Sequence, residues 1–517
     1  MRLVVTAALG LAIVACAAST AQRSANPNAG GAAAAASDSL KRQDALWLDR
    51  VTYGLNTQLV QDYRRLGRAR WLDEQLQVRP DALPAPIAAQ IDHMDISHLD
   101  VSQLLPDLQA RRKAINAMTD GDEKEAARKA LNETGNRYAY QAVRRELLRA
   151  VYSPAQLREQ MVWFWVNHFS VFQYKGELRW LIADYEEQAI RPHALGHFRD
   201  LVLATLQHPA MLQYLDNQQN GINHINENYA RELMELHTLG VGSGYTQQDV
   251  QQLARVLTGS GIGLSPEPRL RPQWQGLYLR RGAFEFNPAR HDFEPKTLLG
   301  HTIDGKGFAE VEKAVDLIVR QPACAHFISQ QLATYFVADT PPPQLVKKMQ
   351  QTFERTDGDI AEVLRTLLTA PEFDVALGAK FKDPRRYVIS AVRLAYDDNP
   401  ISNTRPMINW LNALGEAPYA HQTPDGYPLT EASWASPGQI SRRFEIARSI
   451  GSGNAGLFDA EEGGAAASAG FPQLSGRLYY QSIEPFLSAN TRTALSRANS
   501  QQEWNTFLLS SPDFNYE

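Results

Sequence analysis

The sequence has little cysteine, no block of one charge and no long hydrophobic run, and each absence narrows the classes of protein to which it can belong. Two cysteines in 517 residues, Cys16 and Cys324, exclude a disulfide framework and a cysteine-based zinc site. Lys and Arg number 52 against 57 Asp and Glu, a net charge of −5 without any basic block, which argues against nucleic acid as a partner. The apolar run at residues 3–15 is shorter than the roughly 20 residues of a membrane span, so we expect no transmembrane helix.

The first residues predict export and a lipid anchor. Met1 and Arg2 precede the apolar run. This short basic start and the apolar run together form the pattern of a secretion signal peptide over residues 1–15. Ile13-Val14-Ala15-Cys16 resembles the bacterial lipobox, in which cleavage leaves an acylated N-terminal cysteine. Ala17 rather than aspartate follows, and the resemblance to sorted lipoproteins then implies the outer membrane. The alternative is ordinary cleavage after residue 18 or 21, which would release a soluble periplasmic protein.

Composition divides the rest of the chain into four parts. Residues 16–39 are mainly Ala, Ser, Gly and Asn, which predicts a flexible tether, because such a segment cannot bury a core. A large helical domain is expected over residues 40–450. A flexible Gly- and Ala-rich insertion is expected at 451–475, followed by a C-terminal helical segment at 476–517.

Hydrophobic periodicity predicts a mainly α fold, a large multi-helix domain with a minor β-hairpin. Between residues 45 and 76, Gly54 and Gly67 divide the helical pattern into three short helices. The hairpin is expected from Leu277–Arg280 and Ala283–Phe286, joined by Arg281-Gly282. Cys324 is expected to be a small buried hydrophobe. Further helices are predicted at 123–151, 185–190, 198–208, 227–239, 247–258, 308–336, 344–355, 360–369, 384–396 and 438–450.

The segment from Asn226 to Gly240 contains the main candidate site. As a helix of about 100° per residue, it would direct one arc of apolar side chains into the core. Glu232 falls within that arc and His237 at its edge. A carboxylate removed from water needs a partner, so we expect Glu232 to be buried, with the neighbours of Arg231 or a histidine at 168, 237 or 291 within hydrogen-bond reach.

Three other polar elements are candidates to converge on this helix: Asn167-His168, Asp249 and His291-Asp292. Asp249 is largely explained as a helix cap with Thr246. For Glu232, Glu235 and His237 the sequence leaves open a structural network, a catalytic carboxylate or base, and a site for a divalent metal. The spacing in ELMELH matches neither the HExxH pattern of zinc proteases nor the ExxH pattern of di-iron bundles.

Five long motifs resemble those of the bacterial family called domain of unknown function 1800. They are WFWVNHF, NENYARELMELHTLGVGSGYTQQDV, FNPARHDFEPKTLLG, FVADTPPP and TPDGYPLTEASWASPGQISRR, and the resemblance covers roughly residues 45–450. It implies an exported protein and, as a partner, a second exported protein similar to alkaline phosphatases or sulfatases. It implies no reaction. The family-motif positions are Asn167, His168, Asn228, Arg231, Glu232, Glu235, His237, Asp249, His291 and Asp292.

Two function classes follow from these observations. In the first, an exported hydrolase uses Glu232 or Glu235 as general base, and His168, His237 or His291, with Asp292 beside it, as acid, electrophile or metal ligand. In the second, a lipoprotein without catalytic activity binds the exported partner or a cell-envelope glycan.

Overall fold

Helices make up most of the structure, a computed structural model that describes residues 39–77, 82–264, 268–460 and 470–517. The predicted signal peptide, Cys16 and the tether up to residue 38 lie outside the described residues, as does part of the predicted insertion, 461–469. In the part of the chain that is described, no helix is both long enough and apolar enough to span a bilayer. The predicted mainly α fold is confirmed.

Most of the longer helices agree with the hydrophobic periodicity, but Ala85–Asp92, Val101–Ala117 and Arg405–Leu414 were not predicted. Gly54 and Gly67 separate the first three, as predicted, and both have positive φ. The single helix predicted at 308–336 is wrong, because Pro322 starts a second helix there. The helices of eight or more residues are Arg42–Val51, Thr57–Leu66, Arg68–Gln75, Ala85–Asp92, Val101–Ala117, Asp122–Tyr152, Gln156–His168, Phe198–Gln207, Gln247–Val256, Phe308–Val319, Pro322–Phe336, Pro343–Arg355, Ile360–Leu368, Pro384–Tyr396, Arg405–Leu414, Pro437–Gly451, Ala489–Ser496 and Gln501–Ser510.

Short α-helices, 3₁₀ turns and two π-helical segments connect these helices. Short α-helices span Ile182–Asp184, Pro209–Tyr214, Asn228–Glu232, Pro272–Gln275, Pro371–Val375, Arg477–Ser482 and Pro512–Asn515. Turns of 3₁₀ type span Asp95–His98, Leu178–Trp180, Arg191–His193, Asn217–Gln219, Pro288–Arg290, Glu431–Ser433 and Glu484–Phe486. Two segments, Tyr185–Ile190 and Leu233–Thr238, are π-helical. Both π-helical segments continue a short α-helix.

The described strands form two small antiparallel sheets. In the first, the strand Phe284–Phe286 lies between Ser260–Ile262 and Leu279–Arg281. The second pairs Lys296–Leu298 with His301–Ile303. The predicted hairpin is therefore present, but Arg281 pairs with Phe284, so the loop is Gly282-Ala283 and not Arg281-Gly282. Gly282, the first residue of this loop, has the positive φ (57°) that short hairpin loops require at that position.

Buried arginines tie the helices together where they cross. Arg385 forms a bidentate ion pair with Glu146, and Arg50 contacts Glu517, all with side chains almost fully buried. Arg386 lies 3.4 Å from the same Glu517 carboxylate and stacks over the ring of Tyr335. Each buried charge thus has an opposite charge or an aromatic face beside it, as charges in a core require.

Residues 40–517 form one unit, and the C-terminal helices belong to its core. The helix Gln501–Ser510 packs along Pro437–Gly451, where Asn505 donates to the carbonyl of Gly451. In the part of the predicted insertion that is described, Leu457 is fully buried and its carbonyl accepts hydrogen bonds from the amides of Ser402 and Asn403.

Candidate functional site

The helix that carries the main candidate residues changes its winding halfway along. Asn226 caps its first turn and the chain is α-helical only over Asn228–Glu232. From Leu233 to Thr238 it is π-helical, and the amide of Leu239 bonds the carbonyl of Met234 five residues back. A π-helix turns by less than the about 100° per residue of an α-helix, so residues after 232 lie elsewhere than the α-helical projection predicts.

This change of winding explains the burial of His237. The α-helical projection placed this histidine at the edge of the apolar arc, whereas the structure buries it completely. The adjacent Leu236 is only partly buried. The wider turn rotates His237 into the core and Leu236 towards its margin.

His237 lies beside His168 in an aromatic cluster. The ring centres are 6.1 Å apart, and the His168 Nε2–H donates to the main-chain carbonyl of His237 at 2.9 Å. Neither ring nitrogen of His237 has a hydrogen-bond partner among the described residues. Burial lowers the pKa of His168 to about 4 and that of His237 well below its ordinary value. Both imidazoles are therefore neutral at pH 7, and Phe169 rather than a carboxylate lies against His237.

The prediction for Glu232 is wrong in its details. Its side chain is half-buried, not buried, and it makes no hydrogen bond to a histidine within the described ranges. Glu232 precedes the π-helical segment, so the change of winding turns His237 inward and does not move Glu232. The helix thus separates the carboxylate from the imidazole that the sequence placed near it.

Glu232 instead belongs to an acidic face shared with a distant loop. Burial, together with the charges of Glu235 and Asp425, raises its pKa. Glu235 accepts a hydrogen bond from Tyr245. Asp425 accepts from Thr423 and lies 3.1 Å from Nε2 of His421; these contacts outweigh partial burial and lower its pKa. The pKa values of Glu232 and Asp425 are thereby shifted in opposite directions.

Asn167 fixes the loop that brings Asp425 to this face. Its side-chain amide donates to the carbonyl of Tyr427 at 2.9 Å and its Oδ1 accepts from the Tyr427 amide at 2.6 Å. A Cβ on Gly426, whose φ is 71°, would lie 2.2 Å from the Asn167 carbonyl oxygen. Only glycine fits between the loop and the helix at this point.

His291 lies in a separate buried network. Its Nδ1 is 2.7 Å from the carbonyl oxygen of Thr258, and its Nε2 is 3.3 Å from Oε1 of Glu310. The other oxygen of Glu310 accepts from Lys296 at 2.7 Å. Burial would raise the pKa of Glu310, but the adjacent His291 imidazole and the hydrogen bond from Lys296 outweigh it and hold that pKa below its ordinary value. The network joins the small sheets to the helix Phe308–Val319.

Asp292 and Asp249 also have local partners. Asp292 accepts two hydrogen bonds from Arg255, at 2.7 and 3.2 Å. Asp249 completes a capping box with Thr246, as predicted, and its other oxygen accepts from the amide of Leu299. Of the candidates to converge on the helix 227–239, His168 contacts it through the carbonyl of His237, whereas the hydrogen bonds and ion pairs described for His291, Asp292 and Asp249 go to other residues.

The donor atoms do not assemble into a metal centre in the regions described. No three His, Cys, Asp or Glu side chains there come together in the manner of metal ligands. Cys324 is fully buried, and burial raises its pKa, in keeping with the predicted role as a small hydrophobe. The residues missed by sequence reasoning are Glu310, Lys296, Arg255 and the pair His421–Asp425. Their sequence neighbourhoods predict only a strand, an amphipathic helix and a turn.

The family described as "Protein of unknown function (DUF1800)" matches residues 46–516, and the chain belongs to this family. The match extends past residue 450 to include the C-terminal helices, in agreement with their place in the core. Neither the curated proteins nor the solved structures contain a match to the chain.

Proposed function

We propose that this member of the DUF1800 family is an exported, lipid-anchored binding module of the cell envelope, held at the outer membrane through Cys16. The observation that carries the proposal is the separation of the predicted catalytic groups. Among the described residues the histidine–carboxylate contacts are His208–Asp184, His291–Glu310 and His421–Asp425, so none joins Glu232 or Glu235 to a histidine, or His168 or His237 to a carboxylate. A general base must lie within hydrogen-bond reach of the proton that it removes and of a group that orients it. The two glutamates and the two histidines do not meet that condition.

Connected loops near the motif helix offer a surface for the partner. Ile222 and Ile225 are 46% and 39% exposed. The amide of Ile222 bonds the carbonyl of Arg290, close to Phe293, which is 38% exposed. Tyr174, 61% exposed, belongs to the neighbouring loop, which is tied in by the ion pair of Lys175 with Asp216. We call Tyr174, Ile222, Ile225 and Phe293 the loop patch.

Exposed hydrophobic side chains on adjacent loops favour a protein partner. We assign to the loop patch the exported phosphatase- or sulfatase-like protein that the family resemblance implies. The Cys16 anchor and the tether would hold the module at the membrane, so that partner binding places the second protein there as well.

Site-specific crosslinking in cells tests this assignment. A photoreactive residue at Ile222 should capture the phosphatase- or sulfatase-like protein, and the same residue at Val375, which is 86% exposed elsewhere, should not. Ile222→Asp should abolish co-purification of the two proteins without changing the melting temperature. Equal capture at both positions, or co-purification that survives Ile222→Asp, would contradict the proposal.

One observation favours hydrolysis of an envelope glycan as a second candidate. Glu232 and Asp425 interact through their charges and their pKa values are shifted apart, Glu232 upward and Asp425 downward, as in the acid and base pair of a glycosidase. If the acidic face is catalytic, purified protein should release soluble sugar from cell-wall glycan. Glu232→Gln and Asp425→Asn should each abolish the release at unchanged stability. Absence of release from wild-type protein eliminates this candidate.

A further inference from the structure

Two adjoining cavities lie beside the π-helical segment Tyr185–Ile190. Their volumes are about 410 and 490 Å³, both within the roughly 300–1,000 Å³ of small-molecule sites. Leu99, Val101, Asp184 and Gln188 line both cavities, so the two meet at these residues. Turns of π-helix occur often at functional sites, and this one directly follows Asp184.

Asp184 is oriented by a more deeply buried histidine. The Nε2–H of His208 donates to Oδ2 of Asp184 at 2.9 Å, and the two side chains are 7% and 25% exposed, respectively. The amide of Ala210 donates to Nδ1 of the same imidazole at 3.1 Å. Because an amide N–H can only donate, Nδ1 carries no proton, and the imidazole is neutral with its proton on Nε2. His208 therefore orients the carboxylate without supplying a positive charge.

The negative charge of Asp184 is not paired with a guanidinium or an ammonium group in the part of the chain that the structure describes. His208 is the only basic side chain there that contacts its carboxylate, and Oδ1 accepts no hydrogen bond from a described residue. The two guanidiniums of the first cavity, those of Arg145 and Arg149, instead lie 3.5 and 2.6 Å from Glu187. Asp184 thus presents one carboxylate oxygen at the junction of the cavities.

The charged side chains around each cavity also leave an excess of carboxylates. The first cavity is lined by three carboxylates and two guanidiniums, and the second by two carboxylates and one guanidinium. The carboxylates are Asp92, Asp184 and Glu187 in the first cavity and Asp100 and Asp184 in the second; the guanidiniums are Arg145 and Arg149 in the first and Arg281 in the second. Each lining therefore favours a cation over an anion.

The walls on either side of Asp184 are largely apolar. Ile91, Ile96 and Leu99 line the first cavity, and Ala204 and Phe284 line the second. Asp184 is not grouped with two further His, Cys, Asp or Glu side chains of the described residues, as a metal ion would need. A cation with an apolar body fits better, because its charge would meet Asp184 while its body covers the apolar walls.

We propose that these cavities bind a primary amine carried on an aliphatic chain. The ammonium group donates to Oδ1 of Asp184, and the chain lies along Ile91, Ile96 and Leu99. Trp180 and Phe284, the aromatic residues of the two linings, are 6% and 2% exposed, so they offer no open cage to a quaternary ammonium group. The site shares no residue with the loop patch or the acidic face, so it does not depend on the proposed function.

Calorimetric titration of the full chain with hexylamine tests the proposal, with Cys16→Ser to remove the predicted acylation site and the need for detergent. We expect one site per protein for hexylamine, which is charged at pH 7 as the lysine side chain is. Asp184→Asn should weaken binding by roughly tenfold or more, because it removes the charge but keeps an acceptor for His208. Asp120→Asn removes the same charge from a side chain that is 93% exposed outside both linings, and it should leave the affinity unchanged.

Three further probes separate the parts of the ligand. Hexanol has the chain without the charge, the ammonium ion has the charge without the chain, and hexyltrimethylammonium has both but no N–H donor. Each should bind at least roughly tenfold more weakly than hexylamine. Equally tight binding of hexanol would show an apolar cavity only, and equally tight binding of the ammonium ion would show a site for a free cation. Equally tight binding of hexyltrimethylammonium would exclude the hydrogen bond to Asp184, and each of these three results contradicts the proposal.

Two results with hexylamine itself also overturn the proposal: no binding to the protein, and unchanged affinity in Asp184→Asn. If Asp184→Asn does not fold, Leu99→Trp provides the test, because it adds bulk at the junction of the two cavities. It must weaken the binding of hexylamine, and unchanged affinity in this variant would overturn the proposal as well.

Discussion

His168 and His237 lie with their ring centres 6.1 Å apart, and the Nε2–H of His168 donates to the main-chain carbonyl of His237. A carbonyl can only accept, so this contact fixes the proton of neutral His168 on Nε2. The contact also spans the end of the helix Gln156–His168 and the π-helical segment Leu233–Thr238. The two family motifs are thus joined through an uncharged pair.

Acid should destabilise the protein through this pair. The pKa of His168 is about 4 in the folded state against about 6.5 when unfolded, so between these values the unfolded chain binds the extra proton. The contribution of neutral His168 to stability is therefore fully present above about pH 6.5 and is lost as the pH falls towards 4. For His168 alone the free energy of unfolding should fall by about 2 kcal/mol between pH 7 and pH 5.

Urea unfolding at both pH values measures this loss. His168→Gln should reduce the difference between pH 7 and pH 5, whereas His224→Gln, at an exposed position, should not. An equally large acid sensitivity in His168→Gln would show that other groups cause it.

Removal of the Glu310 carboxylate should destabilise the fold strongly. Glu310→Leu leaves Lys296 buried without its counter-ion, and breaking a buried pair in this manner costs about 3–5 kcal/mol. Glu312→Leu on the same helix, a position with no ion pair to another described residue, is the matched control and should cost less than about 1 kcal/mol. Chemical denaturation of both variants gives the comparison, and similar losses would argue against the network as a stabilising element.

A comparison of alanine substitutions at Gly426 and Gly242 separates the cost of backbone strain from the cost of steric overlap. Their φ values are 71° and 72°, but a Cβ on Gly426 would overlap the Asn167 carbonyl, while nothing lies within 4 Å of one on Gly242. Gly242→Ala should therefore cost about 1–2 kcal/mol from the left-handed conformation alone. Gly426→Ala should cost clearly more, because the loop and the helix must move apart. Thermal unfolding of the two variants measures the difference; equal losses would mean that the loop shifts freely.

Acylation of Cys16 is testable without reference to the fold. Metabolic labelling with a fatty acid should mark the wild-type protein and not Cys16→Ser, since the lipobox-like segment places the modification on that thiol. The wild type should also partition into detergent and sediment with outer membranes. An unlabelled wild type that stays in the aqueous phase would instead support cleavage after residue 18 or 21.

The sequence predicted well what depends on neighbours along the chain. The helices around Gly54 and Gly67, the capping box of Thr246 and Asp249, and the presence of the hairpin all follow from local rules. The acidic face and the network of His291 could not be predicted, because Asp425 and Glu310 approach their partners only through the fold. Local periodicity gave the wrong environment for His237 because it assumed a uniform α-helix, and the change of winding at Leu233 has no signal in that pattern.

The π-helical segment also makes this region sensitive to insertion and deletion. A turn of π-helix contains one residue more than a turn of α-helix, so loss of any single residue from Leu233–Thr238 would allow ordinary α-helix to form. His237 would then move towards the margin of the core, although every remaining residue is unchanged. Among relatives, the length of this segment should therefore be preserved more strictly than the identity of its apolar side chains. A one-residue gap there would mark a branch of the family with a different arrangement around His168.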